Sequence, residues 1–300
     1  MLTIVTTCKN RLDHLKQTLP LMLRQPRAEV VVVDYGCDQG TANWVRTHHP
    51  AARVVEVRDD PEFVAARARN IGAGHAGGTL LCFVDADVIM RQDLAPWLQQ
   101  NQRDGQYYVA PQNHELMGFL VVSRAAFTQS GGYDEAWRCW GTEDMELRQR
   151  LQFAGLTAAP IPADFLSVIS HGDASRMLGA RGGLPGKAEA LTFGRIYREI
   201  MADAHRLTGQ QLPRDARAEV FRILGLWARN ENDDQRRIRI VLTLPMPPRR
   251  FAPVMPARRL VYDATTMGLG RATGQPGPAE VTSAAERLKL QTTDLRPDSG

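Results

Sequence analysis

Four apolar, β-branched runs alternate with helical stretches within the first 85 residues, and this rhythm constrains the fold more than any other feature. Leu2–Thr6, Glu29–Asp34 (EVVVVD), Ala51–Val57 and Thr79–Val84 (TLLCFV) each read as a strand. EVVVVD is too continuously apolar for a strand with one wet face, which is the pattern of a parallel sheet covered on both sides. After the first strand, Leu12, Leu15, Leu19 and Leu23 share one helical face, with Pro20 weakening the middle of that helix. Thr41–His48 and the Ala/Arg-rich stretch Pro61–Ala76 complete the alternation as helices. Such a pattern predicts an α/β domain with right-handed crossovers and a mostly parallel sheet flanked by helices.

Further on the rhythm changes. Tyr107–Pro111 and Met117–Ser123 read as strands, Arg124–Gly131 as a short helix, residues 143–154 as a longer one, and Leu166–His171 as a late strand. A glycine-rich loop over 172–187 closes the first domain, so the expected division is 1–187 for the α/β domain and 188–244 for a helical extension. Residues 245–300 form a Pro/Arg-rich, largely flexible tail, small and polar from about Gly270. Lys and Arg are dispersed, the formal net charge is only +4, and no basic tract is interleaved with aromatics, which argues against nucleic acid as a partner. Cys8, Cys37, Cys82 and Cys139 contain no CxxC pair and read as reduced thiols of a cytoplasmic protein. The N-terminus starts a strand directly, and no apolar run approaches the ~20 residues of a membrane span, so the chain reads as soluble. The segment at 245–259 (PMPPRRFAPVMPARR) offers a peripheral contact with the inner face of an acidic membrane, against the plainer reading of a solvated linker.

Several clusters carry chemistry. Asp85-Ala86-Asp87 ends the fourth strand, where an open α/β sheet places its ligands, and its hard oxygens suit Mn²⁺ or Mg²⁺ held against a diphosphate. Taken alone, the pair is equally a capped turn. A phosphohydrolase nucleophile is disfavoured, because three strands precede the motif and Ile89 follows DADV. Residues 72–77 (GAGHAG) match GxGxxG but follow a helix and precede a strand, the wrong polarity for a dinucleotide loop. Those glycines read as a helix end and turn. Asp34 ends the second strand on the same edge and can accept hydrogen bonds from a base or ribose, or simply hold its turn. Arg11, Arg67 and Arg69 are within reach of diphosphate oxygens, with solvated surface charge as the ordinary alternative. His171 follows an apolar run and is a candidate third ligand for a borderline divalent ion. In WGTEDMEL (140–147), Thr142 can N-cap a helix whose first turn carries Glu143 and Asp144, which leaves Trp140 without a structural reason.

Taken together, the strand-TTCKNR block, VVVDYGCDQGT, ARNIGAG, LLCFVDADV and WGTEDMEL resemble the family 2 glycosyltransferases of the GT-A fold over roughly residues 1–175. The last block is most similar to the WGGED motif of β-1,4-galactosyltransferases and chondroitin-polymerase-type enzymes. The resemblance implies a nucleotide-sugar donor, with uridine the expected base, and a saccharide or glycoconjugate acceptor. It implies a metal site of Asp85, Asp87 and His171, and donor contacts from Thr6, Arg11, Asp34, Arg67, Asp85 and Trp140. Glu143 and Asp144 are implied at the acceptor. Two departures stand out: Asp34-Tyr35-Gly36-Cys37 replaces the common DDGS, and Thr142 replaces the second glycine of WGGED.

The expected chemistry is inverting transfer to an acceptor hydroxyl. Asp144 is the general base, Glu143 orients the acceptor, Trp140 stacks on a sugar face and the metal stabilises the leaving diphosphate. A retaining transferase and a non-catalytic sugar or nucleotide-sugar binding module remain open alternatives. A nucleotidyltransferase is disfavoured, because TTCKNRLDH has no glycine after the first strand.

Overall fold

The computed structural model describes residues 1–91, 93–111, 114–139, 141–169, 187–229, 235–245, 257–267 and 291–292. They fall into two units, Met1–Gly182 and Gly183–Gly300.

The first unit opens with β1 (Leu2–Cys8), α1 (Leu12–Leu23), β2 (Ala28–Asp34), α2 (Thr41–His48), β3 (Arg53–Glu56), α3 (Ala65–Gly74) and β4 (Leu80–Asp85). It continues through β5 (Val88–Met90), α4 (Leu94–Asn101), β6 (Gln106–Val109), β7 (Leu120–Ser123), α5 (Arg124–Gln129), α6 (Glu143–Phe153), β8 (Thr157–Pro160) and β9 (Leu166–Val168). Seven strands form one sheet in the order β3-β2-β1-β4-β7-β6-β8. Its pairs are parallel except those made by β7, so β7 is the one strand of this sheet that runs against the rest. The α/β expectation holds. Helix α1 runs through Pro20 without a break.

Side-chain alternation on the central strands sorts the core into two layers. Ile4, Val30, Val32, Cys82 and Val84 pack with Leu15, Leu19 and Met22 of α1. On the opposite face Val5, Leu81 and Phe83 meet Ala66 of α3 and Leu147 and Leu151 of α6. Helix α3 lies so close to the sheet that a Cβ added at Gly72 would stand 2.3 Å from Val5 Cγ1. Gly72 and Gly74 are therefore helical residues of α3, and Gly72 serves close packing rather than the turn its sequence context suggests.

Register aligns the strand ends that matter. β1 pairs Cys8 with Asp34 on β2 and Thr7 with Asp85 on β4, which brings both acids to one carboxyl edge of the sheet. Past β4, the short β5–β9 ladder runs antiparallel, and Ile169 N–H donates to Asp87 O at 2.9 Å just beyond it.

The second unit contains α7 (Lys187–Thr208), α8 (Arg214–Arg229) and two eleven-residue strands, β10 (Gln235–Pro245) and β11 (Ala257–Met267). These strands pair antiparallel along their whole length, and the two-residue β12 (Gln291–Thr292) adds to β11. Paired strands thus stand where composition alone suggests helix and loose tail. Ile240, Val261 and Tyr262 are buried, and Tyr262 OH donates to Asp203 Oδ2 at 3.0 Å. The glycine-rich loop predicted over 172–187 lies almost wholly outside the described residues, as does most of the region beyond Met267. Among the described residues, no helix is long and apolar enough to cross a membrane.

Candidate active site

Helix α6 starts from an unusual turn. Gly141 and Thr142 both have positive φ, +73° and +81°, and Thr142 makes no side-chain cap despite occupying the N-cap position. A β-branched residue in this region is an outlier, costing on the order of 1–3 kcal/mol. Glycine is the residue this backbone favours. The turn delivers Glu143 and Asp144 as the first two residues of α6, facing the positive end of its dipole.

Both acids meet Arg69. This side chain is only 4% exposed and projects from α3 beneath the carboxyl edge of the sheet. Its Nη1 donates to Glu143 Oε1 and Asp144 Oδ1, each at 3.0 Å, and its Nη2 donates to Asp85 Oδ1 at 3.0 Å. The guanidinium also lies 5.2 Å from the centre of the Tyr133 ring. Burial opposes its charge, but Asp144, Asp85 and Glu143 outweigh this and keep it protonated far into the alkaline range. Arg69 is thus a buried cation joining the acid that ends β4 to the acid pair on α6, not the solvated charge of the ordinary alternative.

The same cluster sets the protonation of its members. Burial pushes the Asp144 carboxyl up to about 8; Arg69 pulls it down, while Glu143 and Asp85 push it further up. Glu143 is buried, and neither its Oε2 nor the Tyr133 hydroxyl has a hydrogen-bond partner among the described residues. An orphaned carboxylate oxygen beside a charged acid cluster is a ready acceptor for a ligand hydroxyl.

Gly118 closes the cluster from the side. A Cβ there would lie 2.5 Å from Asp85 Oδ2 and 2.8 Å from Arg69 Nη2. Arg148, one turn along α6 from Asp144, fixes this approach by donating from Nη2 to the carbonyls of Met117 (2.7 Å) and Phe119 (3.1 Å). Gly118 and Arg148 escape a sequence reading, because neither stands in a recognisable motif. Arg69 did leave a signal. It shares the stripe of α3 that buries Ala66, Gly72 and Ala73, and an arginine on an apolar stripe needs a buried partner.

The remaining predicted residues are placed differently. Asp34 is 4% exposed, and both of its oxygens are engaged: Oδ1 accepts from Cys37 N–H and Oδ2 from Ala42 N–H, each at 2.9 Å. It ties the β2–α2 turn together and satisfies an amide in the first turn of α2. Arg67 donates to Asp59 Oδ2 at 2.7 Å and to the Tyr35 hydroxyl at 3.1 Å, within a group completed by Asp60 and Arg138. Arg11 sits half-buried at the start of α1. Thr6 is fully buried inside β1, two residues below the rim, and its hydroxyl has no hydrogen-bond partner among the described residues. Trp140 and His171 lie outside the described residues.

Among the described residues, no group of three or more His, Cys, Asp or Glu side chains is placed to hold a metal. The donor chemistry of the Asp85/Asp87 pair nevertheless fits a hard divalent ion. Asp85 is 39% exposed at its side chain, so Arg69 holds one of its oxygens while the carboxylate still faces solvent, and Asp87 is half-buried beside it.

Residues 3–136 match the model of glycosyl transferase family 2, and residues 106–171 match that of the N-terminal domain of galactosyltransferase. Similar solved structures include the mannosyltransferase PcManGT from Pyrobaculum calidifontis in complex with GDP-Man and Mn²⁺ (TM-score 0.50, 19% identity, covering 76% of this chain and 71% of that one). Another is S. aureus TarS 1-349 with UDP-GlcNAc (TM-score 0.53, 13% identity, 78% and 75% covered). A third is GalNAc-T7 with UDP, GalNAc and Mn²⁺ (TM-score 0.53, 17% identity, 77% and 56% covered). These likenesses bear on the fold, an α/β domain with a mostly parallel central sheet flanked by helices. A relative in sequence is validoxylamine A glucosyltransferase of Streptomyces hygroscopicus subsp. jinggangensis (strain 5008), 25% identical over 220 residues. The chain spans about half of that relative's length, 52%.

Proposed function

We propose that this chain transfers a glycosyl group from a nucleotide-sugar, a UDP-sugar in the first instance, to an acceptor hydroxyl with inversion at the anomeric carbon. The observation that carries the proposal is the Arg69 cluster, which holds the acid that ends β4 and the acid pair on α6 on one buried cation. A binding module has no need of a carboxylate placed and tuned in this way.

The roles follow from position. Asp144, with its pKa pushed up to about 8, is basic enough to take the acceptor proton near neutral pH and is ionised in an appreciable fraction there. Glu143 is proposed to orient the acceptor, its Oε2 having no hydrogen-bond partner among the described residues. Arg69 positions both acids and restrains the rotamer of Asp85. Trp140, immediately before the Gly141–Thr142 turn, is the residue proposed to stack on a sugar face. Arg11, Arg67, Thr6 and Asp34 belong to the proposed donor side; for Asp34 the role is to shape the turn, since its oxygens already bind backbone amides. A divalent cation held by Asp85 and Asp87 would neutralise charge on the leaving diphosphate. His171 is proposed as its third ligand: β9 brings the chain onto Asp87 two residues earlier in sequence, at Ile169. The cation's presence in PcManGT and GalNAc-T7 supports including it in the assay.

The test is a donor screen. Purified protein is incubated with a panel of sugar nucleotides and either Mn²⁺ or EDTA, and nucleotide release is followed with and without simple saccharide acceptors. Mn²⁺-dependent release from one donor, abolished by Asp87→Ala, is expected. No turnover and no nucleotide binding by calorimetry with any donor would overturn the proposal.

A further inference from the structure

Two thiols meet at the carboxyl edge of the sheet, beside the turn that follows Asp34. Cys8 ends β1 and is fully buried; Cys37 lies in the β2–α2 turn and is half-buried. Their sulfurs are 3.6 Å apart, and Cys37 Sγ also lies 3.2 Å from Cys8 O. We propose that Cys8 and Cys37 are an oxidisable dithiol that closes to a disulfide and weakens donor binding.

Proximity and chemistry support closure. A disulfide needs about 2.05 Å between sulfurs, so roughly 1.5 Å of combined movement suffices, and Cys37 sits in a turn rather than a strand. The two residues are unequally accessible, as a stepwise exchange requires. Cys8 sulfur is favoured as a thiolate: the Cys37 thiol donates to it, burial opposes the charge, and the Arg11 backbone N–H and Thr41 hydroxyl add support. The Cys8 sulfur and burial hold the Cys37 thiol protonated, so Cys37, the more accessible of the two, attacks as its proton passes to the Cys8 sulfur it already donates to. It attacks a low-molecular-weight disulfide RSSR, breaking the S–S bond and releasing one RSH. Cys8 then displaces the second sulfur. Two protein thiols become one disulfide, RSSR is reduced to two RSH, and the two thiol protons leave on them. Cys82, at the centre of the sheet, is fully buried and has no such partner among the described residues.

Coupling to the donor site follows from what the turn carries. Cys37 N–H is one of the two amides that hold Asp34. Asn10 N–H donates to Cys37 Sγ at 3.2 Å, Asn10 and Asp38 exchange two further bonds, and Leu12 N–H donates to Gln39 Oε1. Drawing Cys37 toward β1 therefore displaces the turn below Asp34 and the loop bearing Arg11 together. This half of the inference rests on the donor-site reading above; the thiol chemistry does not.

The full-length chain is equilibrated in glutathione buffers of rising oxidised fraction, alkylated, and analysed by peptide mass spectrometry. Cys8 and Cys37 are expected to lose alkylation together, with the two peptides joined and a dithiol reductant reversing the change, while Cys82 stays free. In Cys8→Ser the expected product is a glutathione adduct on Cys37. Persistence of both free thiols, or a stable adduct on Cys37 in the unsubstituted chain, would overturn the dithiol. Calorimetry with UDP and Mn²⁺ then compares oxidised and reduced protein, with Cys37→Ser carried through both treatments. Loss of roughly tenfold in affinity, matching one hydrogen bond to a charged group, is expected only where the disulfide forms. Equal affinity overturns the coupling. Closure of the dithiol with no UDP binding in either form overturns the donor-site reading and leaves the dithiol standing.

Discussion

Replacing Arg69 by Met keeps most of the side-chain volume and removes the cation on which the site is built. Arg69 is 4% exposed and faces three carboxylates at 3.0 Å, of which Glu143 and Asp144 are 7% and 13% exposed. Removing one partner of a buried ionic group leaves uncompensated charge and typically costs about 3–5 kcal/mol. That is a large share of the roughly 5–15 kcal/mol by which domains are stable. The stranded acids have an escape, which is protonation. Asp144 already holds its proton up to about pH 8 because of burial, and losing Arg69 removes the main force pulling that value down. The penalty is therefore pH-dependent. In urea unfolding followed by tryptophan fluorescence, Arg69→Met should lose about 3–5 kcal/mol at pH 9 and clearly less at pH 5, where Asp144 is neutral. Adding Asp144→Asn to Arg69→Met should recover part of the alkaline loss, a coupling that a double-mutant cycle reads directly. A loss below about 1 kcal/mol at pH 9, or an equal loss at both pH values, would refute the reasoning, because the cluster would then be held by packing rather than charge.

Three further outcomes are expected. The carboxyl of Asp144 is raised in the folded state, so its contribution to stability is full only below the ordinary carboxylate value of about 4 and is lost progressively until about pH 8; Asp144→Asn should flatten the fall of the melting temperature across that window, and transfer by the unsubstituted protein should rise toward a plateau above about pH 8. Gly118→Ala places a methyl 2.5 Å from Asp85 Oδ2 and 2.8 Å from Arg69 Nη2, which should cost about 1–3 kcal/mol by thermal melting and weaken Mn²⁺-dependent nucleotide binding. Thr142→Gly relieves a β-branched residue at φ +81° and should raise the urea midpoint by the equivalent of about 1 kcal/mol, a gain absent if the turn is held by Thr142 side-chain contacts.

Much of the fold is legible because its signals are local. EVVVVD and TLLCFV announce buried parallel strands without help from partners, and the leucine spacing after β1 announces α1 even through Pro20. Asp85 is legible as a strand-end acid on the carboxyl edge of the sheet, whereas the Asp85/Asp87 pair taken alone fits a capped turn equally well. Arg69 is harder to read. Its meaning depends on α6 arriving 74 residues later to place Glu143 against it, and no local pattern encodes that meeting. Asp34 misleads in the opposite direction: its strand-end position suggests a ligand contact, whereas the local backbone takes up both oxygens. Thr142 reads as an ordinary N-cap, and only the backbone reveals that it occupies a glycine's conformation. The hairpin of β10 and β11 is hidden because Arg-rich, Pro-flanked sequence imitates a solvated linker until the two strands are seen paired.

The most direct test of the central claim is transfer by Asp144→Asn, measured under single-turnover conditions with the donor and acceptor that the screen identifies. Asn keeps the shape and a contact to Arg69 but cannot take a proton. The account predicts a fall in the transfer rate of about 10²–10⁴-fold, with donor affinity by calorimetry unchanged. Transfer within about tenfold of the unsubstituted protein at every pH would contradict it, since the barrier would then owe little to a base at this position.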